Sequence, residues 1–194
     1  RSTNPNGGGG WRKNRRNNSG SYGVDLNRNY GYMWGYDNSG SSPTPSSETY
    51  RGPSAFSEPE VQAVRDFIIG KNIKTYFNMH TYQNALLYPW GYIDAQTPDS
   101  AVYFEYASDI CSYNNYAFGT GSEILGYNSN GASRDWLYGD QVLKNKIFGY
   151  TIEIGSASDG FWPAQNRIFP LAQINVKSML YNTWVAGEYV KLEN

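Results

Sequence analysis

The sequence predicts an α/β fold in which a mixed, mostly parallel β-sheet lies between layers of helices. Three β-rich segments, near 75–80, 85–88 and 147–154, alternate along the chain with segments of helical periodicity. Strands that alternate with helices are typical of a sheet covered on both faces. Because the 194 residues contain no repeat and no linker-like segment, we expect a single domain over 1–194.

Two segments rich in glycine and polar residues are expected to be loops. Residues 1–22 contain many Gly, Asn, Ser and Arg residues, and 35–57 combines Gly and Ser with Pro. We expect the first to be a loop or a frayed terminus and the second to be an ordered surface connection.

A first helix is predicted near 58–69. Ser57 and Glu60 have the spacing of a capping box, in which the Ser hydroxyl accepts from the Glu amide and the Glu side chain reaches back. Gly70 is a suitable stop after the last turn. The residues expected to face the core form one helical stripe: Val61, Val64, Phe67 and Ile68.

Two further helices are predicted, near 98–113 and 170–188. Pro98 stands at the expected first position of the former, which tolerates proline because its amide has no helical partner. The latter is expected to begin near Pro170. The residues expected to face inward are Val102, Tyr106 and Ile110 in the former and Leu171, Ile174, Leu180, Trp184 and Val185 in the latter.

Composition excludes several classes of protein. Aromatic residues make up 16% of the chain, which argues against disorder. A net charge of -1 offers no basic stripe for nucleic acid, and no segment approaches the ~20 apolar residues of a membrane span. The single cysteine, Cys111, excludes an internal disulfide. Many Tyr, Trp, Asn, Gly and Ser residues with little Lys or Glu favour a secreted protein.

Two polar residues stand in or directly after β-rich segments. Glu153 lies within 147–154, and a buried carboxylate is costly unless it is paired or bound. His80 ends the segment 75–80. Each has a structural alternative, because Glu153 can be a strand-end residue on an edge face and His80 a hydrogen-bonded residue at the rim of the core. Their own segments leave both interpretations open.

Arginines cluster near the start of the chain, and Arg28 stands directly after Asn27. A guanidinium can bind a carboxylate through two parallel hydrogen bonds, and an amide adds a neutral donor. These side chains could therefore together hold the carboxylate of a substrate: Arg12, Arg15, Arg16, Arg28, Asn27 and Asn29. The alternative is a solvated basic loop, which the local pattern alone favours.

Several motifs, in one order along nearly the whole chain, carry a family resemblance. They are Trp11–Arg15, Gly23–Tyr30, Ser47–Gly52, Phe56–Glu60, His80–Tyr82 with Leu86–Tyr92, Asp135–Trp136, Thr151–Glu153 and Gly160–Pro163. Together they closely resemble the zinc carboxypeptidases of the carboxypeptidase A type, and most closely the secreted bacterial branch typified by carboxypeptidase T. Several motifs in a fixed order are far more specific than any one of them.

The resemblance implies catalytic roles for three residues. His80 matches the third zinc ligand of the family, and Glu153 matches the general base that takes a proton from the attacking water and passes it to the leaving amine. Arg12 matches the residue that polarises the scissile carbonyl and stabilises the oxyanion.

The resemblance also implies a set of substrate-binding residues. Asn27 and Arg28 match the pair that holds the terminal carboxylate, Tyr127 matches a mobile tyrosine that closes over the substrate, and Tyr82 lies in the same region. Arg134 matches the base of the pocket for the C-terminal side chain, where a guanidinium is expected to favour Glu or Asp. The alternative is that Arg134 turns outward or pairs with Asp135 or another carboxylate.

One family motif is absent. The other two zinc ligands of the family come from an upstream His-x-x-Glu motif, and this chain contains one histidine. A hydrolytic zinc needs three protein ligands. We therefore expect Zn²⁺ in the complete enzyme, weak or absent zinc binding by this chain alone, and a fold that is incomplete at its N-terminal side. The missing N-terminal portion of the domain is then expected to be a binding partner of this chain.

The sequence supports two functions of different classes. The first is a zinc-dependent exopeptidase that removes C-terminal residues from peptides, of which this chain is the C-terminal portion and is inactive by itself. The second is a catalytically inactive module that binds peptide C-termini or stacks its aromatic side chains on carbohydrate. The resemblance further predicts cis peptide bonds at Thr81–Tyr82 and Pro89–Trp90.

Overall fold

The structure, a computed structural model, describes residues 10–187. The helices are α1 (Pro59–Ile68), α2 (Ser100–Ser112), α3 (Gly121–Leu125), α4 (Ser133–Gly139) and α5 (Gln165–Val185). The strands are β1 (Thr75–His80), β2 (Ala85–Leu87), β3 (Ala117–Gly119) and β4 (Phe148–Glu153). A short 3-10 turn covers Leu26–Arg28. The predicted loop over 1–22 is described from residue 10 onward, where it holds an isolated bridge between Asn17 and Tyr22.

The four strands form one mixed sheet in the order β1-β4-β2-β3. Strand β1 pairs in parallel with β4, β2 pairs in parallel with β3, and β2 and β4 run antiparallel. The three predicted strands are confirmed. The sequence pattern does not predict β3, because its Ala, Phe and Gly form no apolar run like the one that marks the equally short β2.

Two hydrophobic clusters pack against the sheet. One is built around tyrosines and includes Tyr103 of α2 with Tyr150 and Ile152 of β4. The other includes Trp136 of α4 and Ile68 of α1. These clusters confirm the predicted arrangement of a sheet between helices.

Helix α1 forms where it is predicted, but its start differs. The N-cap residue is Glu58, without a side-chain capping bond, and Pro59 is the first helical residue. Ser57 instead donates to the Glu58 carboxylate at 2.6 Å and accepts from Asn29. The predicted Ser57–Glu60 capping box is therefore wrong, because a tertiary contact takes the hydroxyl.

The predicted stop of α1 is confirmed, and one of its inward residues is wrong. Gly70 follows the end of α1 with a φ of 78°, in the region that favours glycine. Val61 and Ile68 are buried, but Phe67 is exposed and carries Lys71 over its ring. The capping box of the fold lies at α3, between Thr120 and Glu123.

Helix α2 lies within its predicted span and buries Ile110, but it begins at Ser100 after the N-cap Asp99. The predicted place of Pro98 as its first residue is therefore wrong. Helix α5 begins earlier than predicted, at Gln165, so that Pro170 lies inside it. Of its predicted inward residues, Leu171 is buried as expected, but Ile174, Leu180 and Trp184 are exposed, so the prediction is wrong for these three. The predicted last residue, 188, lies outside the described residues.

The buried face of α5 is mostly polar, which explains the error. Leu171, Asn175, Ser178 and Asn182 face inward at helical spacing. Asn175 accepts from Asn114 at 3.0 Å and donates to the Tyr116 hydroxyl at 3.1 Å. Hydrogen bonds satisfy the buried Asn175 and Ser178, so an apolar pattern cannot reveal this face.

The peptide bonds Thr81–Tyr82 and Pro89–Trp90 are both cis, as the resemblance predicts. Over residues 10–187, no helix combines the length and apolar character needed to cross a bilayer.

Candidate active site

Two polar side chains meet where adjacent parallel strands end. The β1–β4 register pairs His80 directly with Glu153, the last residue of each strand. The imidazole Nδ1 lies 3.9 Å from a Glu153 carboxylate oxygen, and both side chains are largely buried. Backbone hydrogen bonds hold this end of the ladder, from Ile154 N to His80 O at 2.9 Å and from Gln83 N to Glu153 O at 3.3 Å.

Burial governs the protonation of this pair. Desolvation raises the pKa of Glu153 to about 7, although the nearby Arg134, Arg12 and Arg28 oppose the shift. Desolvation, with the same arginines, lowers the pKa of His80 to about 4. Glu153 is thus a carboxyl group whose pKa suits proton transfer near neutral pH.

A cleft of about 1000 Å³ opens at this end of the sheet. Its lining includes His80 from β1, Asn27 from the 3-10 turn, the exposed Arg12, and Phe161. Arg12 lies near enough to His80 and Glu153 to shift both of their pKa values. The cleft therefore brings together one imidazole, an amide and a guanidinium, with a carboxylic acid beside the imidazole.

The Asn27 amide is oriented by the backbone of α4. Its Oδ1 accepts from Ser133 N at 3.0 Å, which leaves Nδ2 near His80 Nε2 at 3.4 Å. The turn that carries Asn27 is capped by Asp25, which accepts from Asn27 N at 3.1 Å. Ser133 and Asp25 thus position the amide, and no local sequence signal marks either of them.

Arg28 is buried beside the cleft and anchored through its own side chain. Its Nε donates to Gly40 O and its Nη1 to Asn27 O, each at 3.0 Å. Asp25 lies 4.0 Å from Nη1. These bonds fix the guanidinium plane.

Arg134 is buried at the start of α4 with few partners. Its Nη2 donates to Ser129 Oγ at 3.2 Å, and its Nε makes no hydrogen bond within the described residues. Asp135 is 3.9 Å away, but that carboxylate accepts hydrogen bonds of 2.8–3.0 Å from the amides of Gly91 and Tyr92. The guanidinium does not turn outward. It pairs with Asp135 at 3.9 Å without a hydrogen bond, as the alternative interpretation has it in part, and burial lowers its pKa.

Two glycines make room for the Arg134 guanidinium. A Cβ on Gly91 would overlap Nη2, and a Cβ on Gly121 would lie 3.0 Å from it. Sequence reasoning does not find Gly91, Gly121 or Ser129, because each is defined only by its contact with Arg134.

The two tyrosines expected at the site lie apart from the cleft lining. Tyr127 is largely exposed on the loop after α3. Tyr82 packs edge-on against Phe161, with ring centroids 4.8 Å apart, and Phe161 lines the cleft. The structure thus places Tyr82 at the rim and Tyr127 on a neighbouring surface.

The mixed sheet, the two cis peptide bonds and the pairing of His80 with Glu153 are all consistent with one protein family. Residues 3–178 match the family model Peptidase_M14, described as zinc carboxypeptidase. The chain belongs to the zinc carboxypeptidase family.

Its relatives include well-known members of this family. Carboxypeptidase A1 of Rattus norvegicus is 35% identical over 185 residues, which cover 91% of this chain and 41% of that protein. Carboxypeptidase B of Astacus astacus is 34% identical over 174 residues, which cover 84% of this chain and 56% of that protein. The chain thus spans only part of the length of these curated relatives.

Solved structures show the same fold. Carboxypeptidase A from Helicoverpa armigera superposes with a TM-score of 0.80 at 26% identity, over 93% of this chain and 47% of that one. Bovine thrombin-activatable fibrinolysis inhibitor, in complex with tick carboxypeptidase inhibitor, gives 0.79 at 30% identity, over 91% of this chain and 62% of that one.

The family name implies zinc, and the described residues do not form a zinc site by themselves. Within residues 10–187, no group of three or more His, Cys, Asp or Glu side chains is placed to hold a metal ion. His80 and Glu153 offer one imidazole and one carboxylate, fewer than the three ligands of a hydrolytic zinc.

Proposed function

We propose that this chain is the C-terminal portion of a zinc carboxypeptidase catalytic domain, which removes C-terminal residues from peptides. The observation that carries the proposal is the pairing of Glu153 with His80 at a cleft lined by Arg12 and Asn27. In it, His80 is one metal ligand, and the remaining ligands come from the N-terminal portion of the domain. An extracellular location stays a prediction from composition.

The chain's own residues divide between binding and proton transfer. The Asn27 amide and the Arg28 guanidinium hold the substrate's terminal carboxylate, which restricts the reaction to the last residue. Arg12 stabilises the negative charge that develops on the scissile carbonyl oxygen. Glu153 accepts a proton from the attacking water and delivers it to the leaving amine, and its place beside His80 at the strand ends suits both steps. Tyr82 contacts the bound peptide from the rim, and Tyr127 closes over it from the neighbouring surface.

Arg134 is expected to make the enzyme prefer substrates whose C-terminal residue is acidic. A buried guanidinium that makes one side-chain hydrogen bond, and whose Nε donates none, is poorly solvated, so a second anion beside Asp135 can bind it. A Glu or Asp side chain supplies that anion, whereas an apolar side chain leaves Nε without a hydrogen bond. The absence of a hydrogen bond from Nε within the described residues is the observation that favours this preference.

Gly91→Ala is expected to disturb this pocket through Arg134. The new Cβ would overlap Nη2, so the guanidinium must move, and preference for C-terminal Glu over Phe should fall about 10-fold or more. The measurement is kcat/KM for a pair of peptides that differ only in that residue. It uses the completed domain, meaning this chain joined to the N-terminal portion of a zinc carboxypeptidase domain.

A double variant controls for general damage by Gly91→Ala. In the Arg134→Ile variant no guanidinium occupies the space beside Gly91. Adding Gly91→Ala to this variant should therefore change the ratio of kcat/KM for the Glu and Phe peptides less than about twofold. An equal loss in both backgrounds would contradict the assignment of Gly91 as a positioning residue.

The isolated chain is expected to bind zinc weakly or not at all, because His80 and Glu153 are too few ligands. Isothermal titration of Zn²⁺ into the monomeric chain at neutral pH measures this, with His80→Ala as the matched variant. Stoichiometric, submicromolar binding that His80→Ala abolishes would show that this chain forms a complete site.

A carboxylate-binding module without catalysis is the alternative function. It is favoured by the same Asn27 and Arg28 donors, which need no metal to bind a peptide terminus. Tight peptide binding by the completed domain with no release of the terminal residue at any zinc concentration would support the module. Zinc-dependent release would support the enzyme.

A further inference from the structure

A buried asparagine joins two loops that are distant in the sequence. Asn130 is fully buried in the loop between α3 and α4. Its Nδ2 donates to Asp37 Oδ1 at 2.8 Å and to Asp37 O at 3.2 Å, and its Oδ1 accepts from the Ser41 hydroxyl. Both polar atoms of this side chain are thus bonded to one segment, 37–41. A buried amide whose two ends are both satisfied holds its neighbours in a defined arrangement.

The same segment holds the guanidinium of Arg28. The carbonyl oxygen of Gly40 accepts from Arg28 Nε at 3.0 Å and from Asn130 N at 3.3 Å. The amide of Gly40 donates to Asp37 Oδ1 at 2.6 Å, the carboxylate oxygen that also accepts from Asn130 Nδ2. One peptide carbonyl therefore links Arg28 to the contact between Asn130 and Asp37, and its position depends on that contact.

Close packing on both sides of Asn130 leaves this arrangement little freedom. A Cβ on Gly40 would lie 2.7 Å from Asn130 Nδ2 and 2.9 Å from Asn130 N. A Cβ on Gly131 would overlap the carbonyl oxygen of Arg28. The carbonyl of Gly131 in turn accepts from Tyr30 N at 3.0 Å. A displacement of Asn130 would therefore reach Arg28 by two routes, through Gly40 O and through the backbone at Gly131.

These contacts lie next to the groups assigned to the substrate's terminal carboxylate. We call Asn27 and Arg28 the carboxylate clamp, and we propose that Asn130 is a positioning residue for it. Its bonds to Asp37 fix Gly40 O, and Gly40 O fixes the plane of the Arg28 guanidinium. A guanidinium binds a carboxylate through two parallel hydrogen bonds only when its plane is correctly oriented. This inference rests on the clamp of the proposed function, and it adds the residue that keeps the clamp in place.

The test is Asn130→Asp, which keeps the shape of the side chain but replaces the donor Nδ2 with an oxygen facing the Asp37 carboxylate. Isothermal titration measures the binding of N-acetylglutamate and of its α-amide to the completed domain at saturating zinc. The acid should bind about 10-fold more weakly, because a misoriented Arg28 loses a charge-assisted hydrogen bond to the α-carboxylate. The α-amide lacks that carboxylate, so its affinity should change less than about twofold.

Three further variants separate positioning from general damage. In the Arg28→Met variant no guanidinium is left to misplace, so adding Asn130→Asp should weaken binding of the acid less than about twofold further. Gly40→Ala disturbs the same contact from the opposite side and should weaken binding of the acid as Asn130→Asp does. The matched control is Asn38→Asp, the same chemical change at an exposed position of the same segment. Its new carboxylate can still accept from Arg51 Nη2, so affinity for the acid should change less than about twofold.

Three results would overturn the role of Asn130. They are an affinity for the acid that Asn130→Asp leaves within twofold, an equal loss for the acid and the α-amide, and a loss as large with Arg28→Met as without it. A parent that binds the acid and the α-amide equally would reject the clamp and this inference together. Binding is measured without turnover, so its outcome is separate from that of the enzyme. A domain that shows the expected binding pattern but releases no C-terminal residue would reject the enzyme and keep the positioning role of Asn130.

Discussion

Glu153→Gln in the completed domain is expected to lower kcat by about 10²–10⁴-fold, the usual contribution of a positioned general acid–base. Glutamine keeps the size of the side chain and its place beside His80, but it cannot accept the proton of the attacking water. KM should change little, because Asn27, Arg28 and Arg134 provide the binding. The measurement is the steady-state release of a C-terminal residue at saturating zinc.

Glu105→Gln is the matched control for that variant. Glu105 is an exposed glutamate on α2, remote from the strand ends, so the same chemical change there should leave kcat unaltered. The proposed role of Glu153 fails if its Gln variant keeps more than a tenth of the parent kcat while the protein remains folded.

Arg134→Ile is expected to reverse the preference among substrates. The parent should favour a C-terminal Glu over Phe by about 10–100-fold, because the guanidinium forms a charge-assisted pair with the former and is left unpaired by the latter. Isoleucine removes the charge, so Phe should become the better substrate, and Arg134→Asp should favour Lys or Arg. The kcat/KM values of peptides that differ only in the last residue measure this preference.

Two observations separate a specific effect from damage to the fold. Thermal unfolding should show that Arg134→Ile is no less stable than the parent, because removing a poorly paired buried charge is often neutral or stabilising. Arg134→Lys keeps the charge without the planar fork, so its preference should lie between those of the parent and Arg134→Ile. A parent that cleaves Phe and Glu equally well, with a ratio that Arg134→Ile does not change, would exclude this pocket.

The strands were the most predictable part of the fold, and they place two candidate site residues, His80 and Glu153, at strand ends. His80 and Glu153 stand at the ends of apolar runs, so a parallel pairing of those runs brings them to one edge. The pairing itself is not visible locally, because nothing within either run fixes its neighbour or its register. The individual segments leave the roles of His80 and Glu153 open, and only the family resemblance predicts that the two residues belong to one site.

The supporting residues could not be predicted in this way. Ser133 orients Asn27 through a bond between residues 106 positions apart, and Gly91 is 44 positions before the carboxylate that its amide contacts, Asp135. Such roles exist only in the folded chain. The polar buried face of α5 is a similar case, because Asn175 and Ser178 are buried through specific hydrogen bonds, and hydropathy alone ranks them as exposed.

The place of His80 and Glu153 in the β1–β4 ladder affects how the site loses function. The two residues form the final rung, and the ends of a ladder open at a lower free energy than its centre. Opening only this rung would separate the two side chains while the tyrosine cluster and the rest of the sheet stayed intact. The backbone hydrogen bonds donated by Ile154 N and Gln83 N, on either side of the rung, stabilise it against that opening. Catalytic competence would then depend on a small cooperative unit at the end of the sheet, and heat or denaturant would abolish it before global unfolding.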